Sequence, residues 1–285
     1  MFRFVKKLVL FFVATIGLFL VVFFGTRFIE KKAYEGKFSS DVLAIVGNSH
    51  AKTALHDSII SARTPFQVKN YGVNGQSMFW TVIAARKLYH QGVRNFVFEL
   101  NNGSYTSGWK TTDPARGSRA FKNKHYLTTD EWKYLWRIDS KFTSRLLFHV
   151  YWPSGSVNGE FQSLHKPFQN TLVNENKPKL DRNTIQVDFD DGMLHEFIAK
   201  HPDAQVLVIR APQHPGFYDK FTAALELEFQ KRLHAFKKHE NANAVDFGHA
   251  LSDDIYFADL GHMNYTGALT ISPRVADAIN AMLAN

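Results

Sequence analysis

The stretch Asp41–Leu55, DVLAIVGNSHAKTAL, sets the frame for the whole chain. Its first half, VLAIVG, is an aliphatic run without a polar interruption, as expected of a strand covered on both faces. Its second half opens a helix-length segment, HAKTALHDSIISA. Between the two stand Gly47, Asn48, Ser49 and His50. A buried strand that turns at a glycine straight into a helix is the start of a βαβ unit, and its junction has two readings. Ser49 is either an N-cap, the commonest role of a serine after a strand, or a nucleophile at the carboxyl end of a parallel strand, where open α/β sheets gather reactive groups.

The same alternation continues outward from this stretch. FQVKNYGV reads as a second strand, QSMFWTVIAARKLYHQG as an amphipathic helix closed by Gly92, and RNFVFEL as a third strand. AQVLVIRAP reads as a fourth, followed by the helix AALELEFQKRLHAFKKH and a fifth strand, NAVDFG. Strands alternating with helices predict an α/β, doubly wound parallel sheet. Between strands three and four, residues 102–191 form an insertion. Its aromatic segment TTDEWKYLWRIDSKFTSRLLFHVYW reads as a helix, opened by Thr128 and Glu131 as a capping box.

The chain has 285 residues, no cysteine and a formal net charge of +8. Disulfides and cysteine-based metal sites are thereby excluded. The basic residues are scattered, with no stripe interleaved by aromatics, so nucleic acid is not the expected partner. Leu8–Phe24 contains no charged residue and, with Gly25 and Thr26, approaches the roughly 20 residues that cross a bilayer. A cleaved signal peptide has a shorter apolar core ending in small residues, whereas VVFFGTRF offers large ones, so an uncleaved anchor is the expectation. Arg3, Lys6 and Lys7 precede it, while Arg27, Lys31 and Lys32 follow it, offset by Glu30 and Glu35. That balance leans toward a cytoplasmic N-terminus. The expected organisation is a cytoplasmic segment 1–7, a single-pass anchor 8–26 in the inner membrane, a linker 27–40, and a domain 41–285 on the periplasmic side.

Four segments fall at strand ends or near the chain end: GNSH, NYGVNG, ELNNGS and FADLGHMNYTG. In this order they resemble the SGNH (GDSL-type) hydrolase superfamily. Gly47-Asn48-Ser49 stands at its Gly-Asp-Ser block. Asn70, Gly72 and Gly75 match Asn-x-Gly-x-x-Gly, and Asp259-Leu260-Gly261-His262 matches Asp-x-x-His, with Asn264 and Gly267 continuing it. The third block departs from the family's Gly-x-Asn-Asp, since ELNNGS supplies Asn101 and Asn102 without the glycine spacing. The resemblance covers residues 41–103 and about 204–275.

It implies a flavodoxin-like three-layer fold and a catalytic triad of Ser49, Asp259 and His262. It also implies an oxyanion hole from the N–H groups of Ser49 and Gly75 and the amide of Asn101 or Asn102. Serine is a weak nucleophile, so His262 would take its proton while Asp259 orients the ring. His50 and Trp109 are candidate substrate contacts; the alternative for His50 is an ordinary first-turn residue, and His249 reads as a solvated turn histidine. No HExxH-like pairing suggests a metal, and no cofactor is expected. Trp109, Trp132, Trp136 and Trp152 would either stack on sugar rings or pack the insertion onto the sheet.

An anchor joined to such a domain is similar to bacterial proteins that add or remove acyl groups on cell-envelope polymers. The expected partners are therefore an O-acylated envelope polysaccharide and a membrane acyl-transfer protein. Three functions stay open at this point: an ester hydrolase, an O-acyltransferase using the same serine, and a non-catalytic binding or assembly protein.

Overall fold

The computed structural model describes residues 2–101, 123–148, 161, 164–165, 189–219 and 221–284. Five parallel strands, β1 (Val42–Val46), β2 (Gln67–Asn70), β3 (Asn95–Glu99), β4 (Gln205–Arg210) and β5 (Ala242–Asp246), form one sheet in the order β2-β1-β3-β4-β5. This is the flavodoxin-like order, whose reversal of direction falls between β1 and β3. All five residues of β1 are buried. Val42, Ala44 and Val46 face one core and Leu43 and Ile45 the other, the period of two that a strand imposes.

Helices cover both faces. The first core takes α4 (Met78–His90), α7 (Phe189–Lys200) and α9 (Ala223–Ala235), through residues such as Phe79, Phe197 and Phe229. The second takes α2 (Ser49–Ala54), α3 (Asp57–Ser61) and the C-terminal α10 (Tyr265–Leu283), through Ala51, Ile60, Ile271 and Ile279. The four-residue α8 (Pro215–Tyr218) follows β4. The N-terminal α1 (Phe2–Tyr34) continues without a break into the segment expected to be linker. Its stretch Phe2–Thr26 has a mean hydropathy of 2.8, long and apolar enough for a membrane anchor or a signal sequence.

Besides α8, α10 and the extension of α1, three elements differ from the sequence expectation. The helix expected after β1 is two helices, because tertiary partners take the backbone groups at the break. Asn70 Nδ2 donates to the carbonyls of Ala51 and Leu55 at 2.8 and 2.7 Å, and the His56 N–H donates to Ser272 Oγ at 2.8 Å. The aromatic helix of the insertion is likewise two, α5 (Thr129–Ile138) and α6 (Ser140–Phe148). The expected capping box of Thr128 and Glu131 opens α5. Asp139 then leaves the helix in an extended conformation, and its carboxylate accepts the Phe142 N–H at 2.9 Å to start α6. The third difference is α7, a crossover helix that the acidic and glycine-containing FDDGMLHEF does not advertise. Of the insertion, residues 123–148 lie on the α4 face, where Leu135, Phe142 and Leu146 are buried.

Candidate active site

The candidate site is built around the turn after β1. At Gly47 a Cβ would come within 2.8 Å of the Ala51 Cβ and 3.0 Å of the Glu99 Cβ, so the turn admits only glycine. Asn48 is the N-cap of α2, its side-chain oxygen accepting the His50 N–H at 2.7 Å. Ser49 is therefore the first helical residue, and its hydroxyl lies 2.8 Å from His262 Nε2.

His262 comes from the loop before α10. Its Nδ1 lies 2.9 and 3.0 Å from the two carboxylate oxygens of Asp259, and the same carboxylate accepts the N–H groups of Gly261 and His262 at 2.8 and 2.9 Å. A carboxylate facing Nδ1 requires the proton there, which leaves Nε2 as the acceptor toward Ser49. Burial opposes the charge on Asp259, but the His262 ring and the two N–H donors outweigh it and hold the carboxyl below its ordinary range. Asn264 caps α10 by accepting the Gly267 N–H at 3.0 Å and donates to the carbonyls of Ile255 and Phe257 at 2.8 and 3.1 Å. Gly267 permits this approach, since a Cβ there would sit 2.2 Å from the Tyr256 carbonyl oxygen.

The loop after β2 is stitched to the same turn. The N–H groups of Tyr71 and Val73 donate to the carbonyls of Ile45 and Gly47 at 2.7 and 3.0 Å. Gly72 passes so close to α2 that a Cβ would meet the Lys52 nitrogen at 2.6 Å, and Gly75 has a φ of +64°, the left-handed region. Asn101, one residue beyond Leu100 at the end of β3, is fully buried, with its Nδ2 3.4 Å from Glu99 Oε1. Asn102, Trp109 and Trp152 lie outside the described residues.

No protein-family model and no curated protein matches the chain. Among solved structures it is similar to a Streptococcus pneumonia protein described as a candidate platelet activating factor. That likeness has 9% identity and a TM-score of 0.44 and covers 96% of this chain and 99% of the other. It is also similar to a Corynascus thermopiles (Myceliophthora fergusii) carbohydrate esterase family 2 enzyme with its carbohydrate-binding domain. There the identity is 14% and the TM-score 0.41, covering 86% and 67% of the two chains.

His50 is buried beside Ser49 and His262, its ring centroid 5.3 Å from that of His262 and 6.0 Å from that of Phe217. Its Nδ1 lies 3.1 Å from Nε2 of Gln213, a fully buried residue. Gln213 and Phe217 were not singled out from the sequence, although they follow β4 as the other site segments follow their strands. The rule that reactive loops leave the carboxyl ends of strands would have reached them. Arg210, at the end of β4, is fully buried and holds Asp246 through two contacts of 2.8 and 2.6 Å and Glu226 through one of 2.5 Å. Gly248 gives it room, because a Cβ there would lie 2.4 Å from Arg210 Nε. The Tyr218 hydroxyl donates to the Gly248 carbonyl at 2.7 Å, and burial first of all pushes that phenol far above its ordinary range. This network clamps the loop that carries Gln213 and Phe217.

Glu99, at the end of β3, is the other unusual group. Burial pushes its carboxyl up to about 8, against the smaller opposing effect of Asn101. The exposed His249 lies against Tyr218, their ring centroids 4.3 Å apart and the rings tilted by 36°. Among the described residues, no group of three or more His, Asp or Glu side chains is disposed to hold a metal ion.

Proposed function

We propose that the chain is a serine-dependent esterase of SGNH type, removing O-acyl groups from a cell-envelope polysaccharide through an acyl-enzyme at Ser49. The observation that carries this reading is the continuous relay from Ser49 Oγ through His262 to Asp259, with contacts of 2.8 and 2.9 Å. In it Ser49 Oγ attacks the ester carbonyl carbon and its proton passes to His262 Nε2. The tetrahedral oxyanion is held by the Ser49 and Gly75 N–H groups and by the amide of Asn101 or Asn102. His262 then protonates the departing sugar oxygen, and a water, deprotonated by the same nitrogen, releases the acid. His50 and Trp109 serve as substrate contacts. The O-acetyl and polysaccharide assignments draw on the resemblance of an anchored SGNH-like chain to envelope acyl-modifying proteins, with the domain on the periplasmic side of the inner membrane.

The test uses the full-length chain in detergent with a fluorophosphonate probe. Labelling at Ser49, lost in Ser49→Ala while the fold is kept, is the expected result. An unlabelled wild type, under conditions where a known esterase reacts, overturns the enzyme reading in favour of a binding or assembly protein. Incubation of an acyl donor with oligosaccharide acceptors then separates water from sugar as the second nucleophile. Free acid alone identifies a hydrolase. Acylated sugar identifies an O-acyltransferase that works with a membrane acyl-transfer protein.

A further inference from the structure

We infer that the aromatic and basic face of α5 and α6 is a membrane-docking surface that rests on the lipid headgroups of the bilayer entered by α1. The inference depends on α1 being a membrane anchor. Phe23 lies in the last turn of the apolar stretch Phe2–Thr26. Its ring centroid is 6.0 Å from that of His125 and 6.5 Å from that of Trp132, and the Lys124 ammonium lies 5.9 Å from it. If Phe2–Thr26 crosses the bilayer, Phe23 marks one of its two interfaces. The contacts then hold Trp132 at the height of that interface.

Trp136 is one helical turn beyond Trp132 on the same face of α5 and is 53% exposed, and Ile138 at the end of the helix is 44% exposed. The same two helices carry exposed cations: Lys133 and Arg137 on α5, Lys141 and Arg145 on α6. Lys133 has Asp130 at 3.1 Å, so Arg137, Lys141 and Arg145 supply most of the positive field. Tryptophan is enriched at headgroup level because its body is apolar and its tip polar, and basic side chains there are drawn to anionic lipid. An acidic glycan would also meet these charges. Lipid is favoured because the face continues directly from residues that touch the membrane helix. Docking would hold the domain by two points, anchor and face, and set the height of the Ser49 turn above the membrane.

The chain contains no cysteine, so one introduced thiol reports one position. Full-length Ser140→Cys, at the exposed start of α6, is labelled with an environment-sensitive fluorophore and reconstituted in phosphatidylcholine–phosphatidylglycerol vesicles carrying a headgroup-region quencher. Leu227→Cys, on the exposed side of α9, serves as comparator. The expected result is a blue-shifted, quenched label at 140 and an unaffected one at 227. Arg137→Gln with Lys141→Gln should lower the docked-to-undocked ratio by about 25-fold, roughly fivefold per charge. Vesicles that retain the chain but leave the 140 label unquenched overturn the docking face and spare the anchor. A label that instead responds only to a soluble acidic polysaccharide overturns lipid as the occupant. A chain that does not float with the vesicles overturns the anchor and the docking surface together.

Discussion

Asn48 resolves the ambiguity of the Gly-Asn-Ser-His turn by a single hydrogen bond. Because its side chain caps α2, the neighbouring serine is relieved of that role and its hydroxyl is directed to His262. Asp259 then matters for tautomer rather than for charge alone, and Asp259→Asn would place an amide against Nδ1 and disfavour the form in which Nε2 accepts. A fall in acyl-ester turnover on the order of 10⁴-fold is expected, measured on the folded variant. An unchanged rate would show that His262 is oriented by something else. Glu99 makes a prediction of a different kind. Its folded-state pKa of about 8 stands above the ordinary 4.5, so between these values the folded chain keeps a proton that the unfolded chain has released. Stability therefore falls as pH rises through that window, by up to about 1.4 kcal/mol per pH unit. Glu99→Gln has no proton to lose, and its urea midpoint should overtake the wild type's between pH 5 and pH 8. Parallel curves would mean that the carboxyl is not held neutral.

Among the elements, the short α2 shows how a site is positioned by its neighbours. Six residues make a helix too short to be stable alone. Asn70 supports it from the adjacent strand by donating to the carbonyls of Ala51 and of Leu55 at its C-cap and accepting the Gly72 N–H at 2.9 Å. Asn70→Ala removes all three bonds in a buried place and should cost about 3 kcal/mol of stability by denaturant unfolding. It should also reduce probe labelling at Ser49. A loss below about 1 kcal/mol would show that water replaces the amide. The capping box at Thr128 was legible because both partners are local. The break at Leu55–His56 was not equally legible, since it depends on Asn70 and Ser272, which are remote in sequence.

For the whole molecule, the β2-β1-β3-β4-β5 order places the turn of Ser49 at the reversal of the sheet, with α10 bringing His262 from the far end of the chain. The other large-scale feature is α1. Arginine near the middle of a membrane helix costs about 2.5–3.5 kcal/mol on insertion scales. Val13→Arg with Ile16→Arg should therefore abolish retention of the full chain by membranes at alkaline pH, which the wild type should survive. Equal retention would show that α1 is not what holds the protein to the bilayer.

The strands, the helix at Met78 and the apolar N-terminal segment were legible in the sequence because hydrophobic periodicity is a local property. The order of the blocks was enough to propose Ser49, Asp259 and His262 as a set. Only the tertiary structure decided that Asn70 and Ser272 break the helix after β1, that the buried Gln213 and the half-buried Phe217 after β4 stand behind His50, and that the insertion's Trp132 lies against α1. These contacts join segments far apart in the chain, and no local pattern records which distant group will meet a given donor, ring or carbonyl.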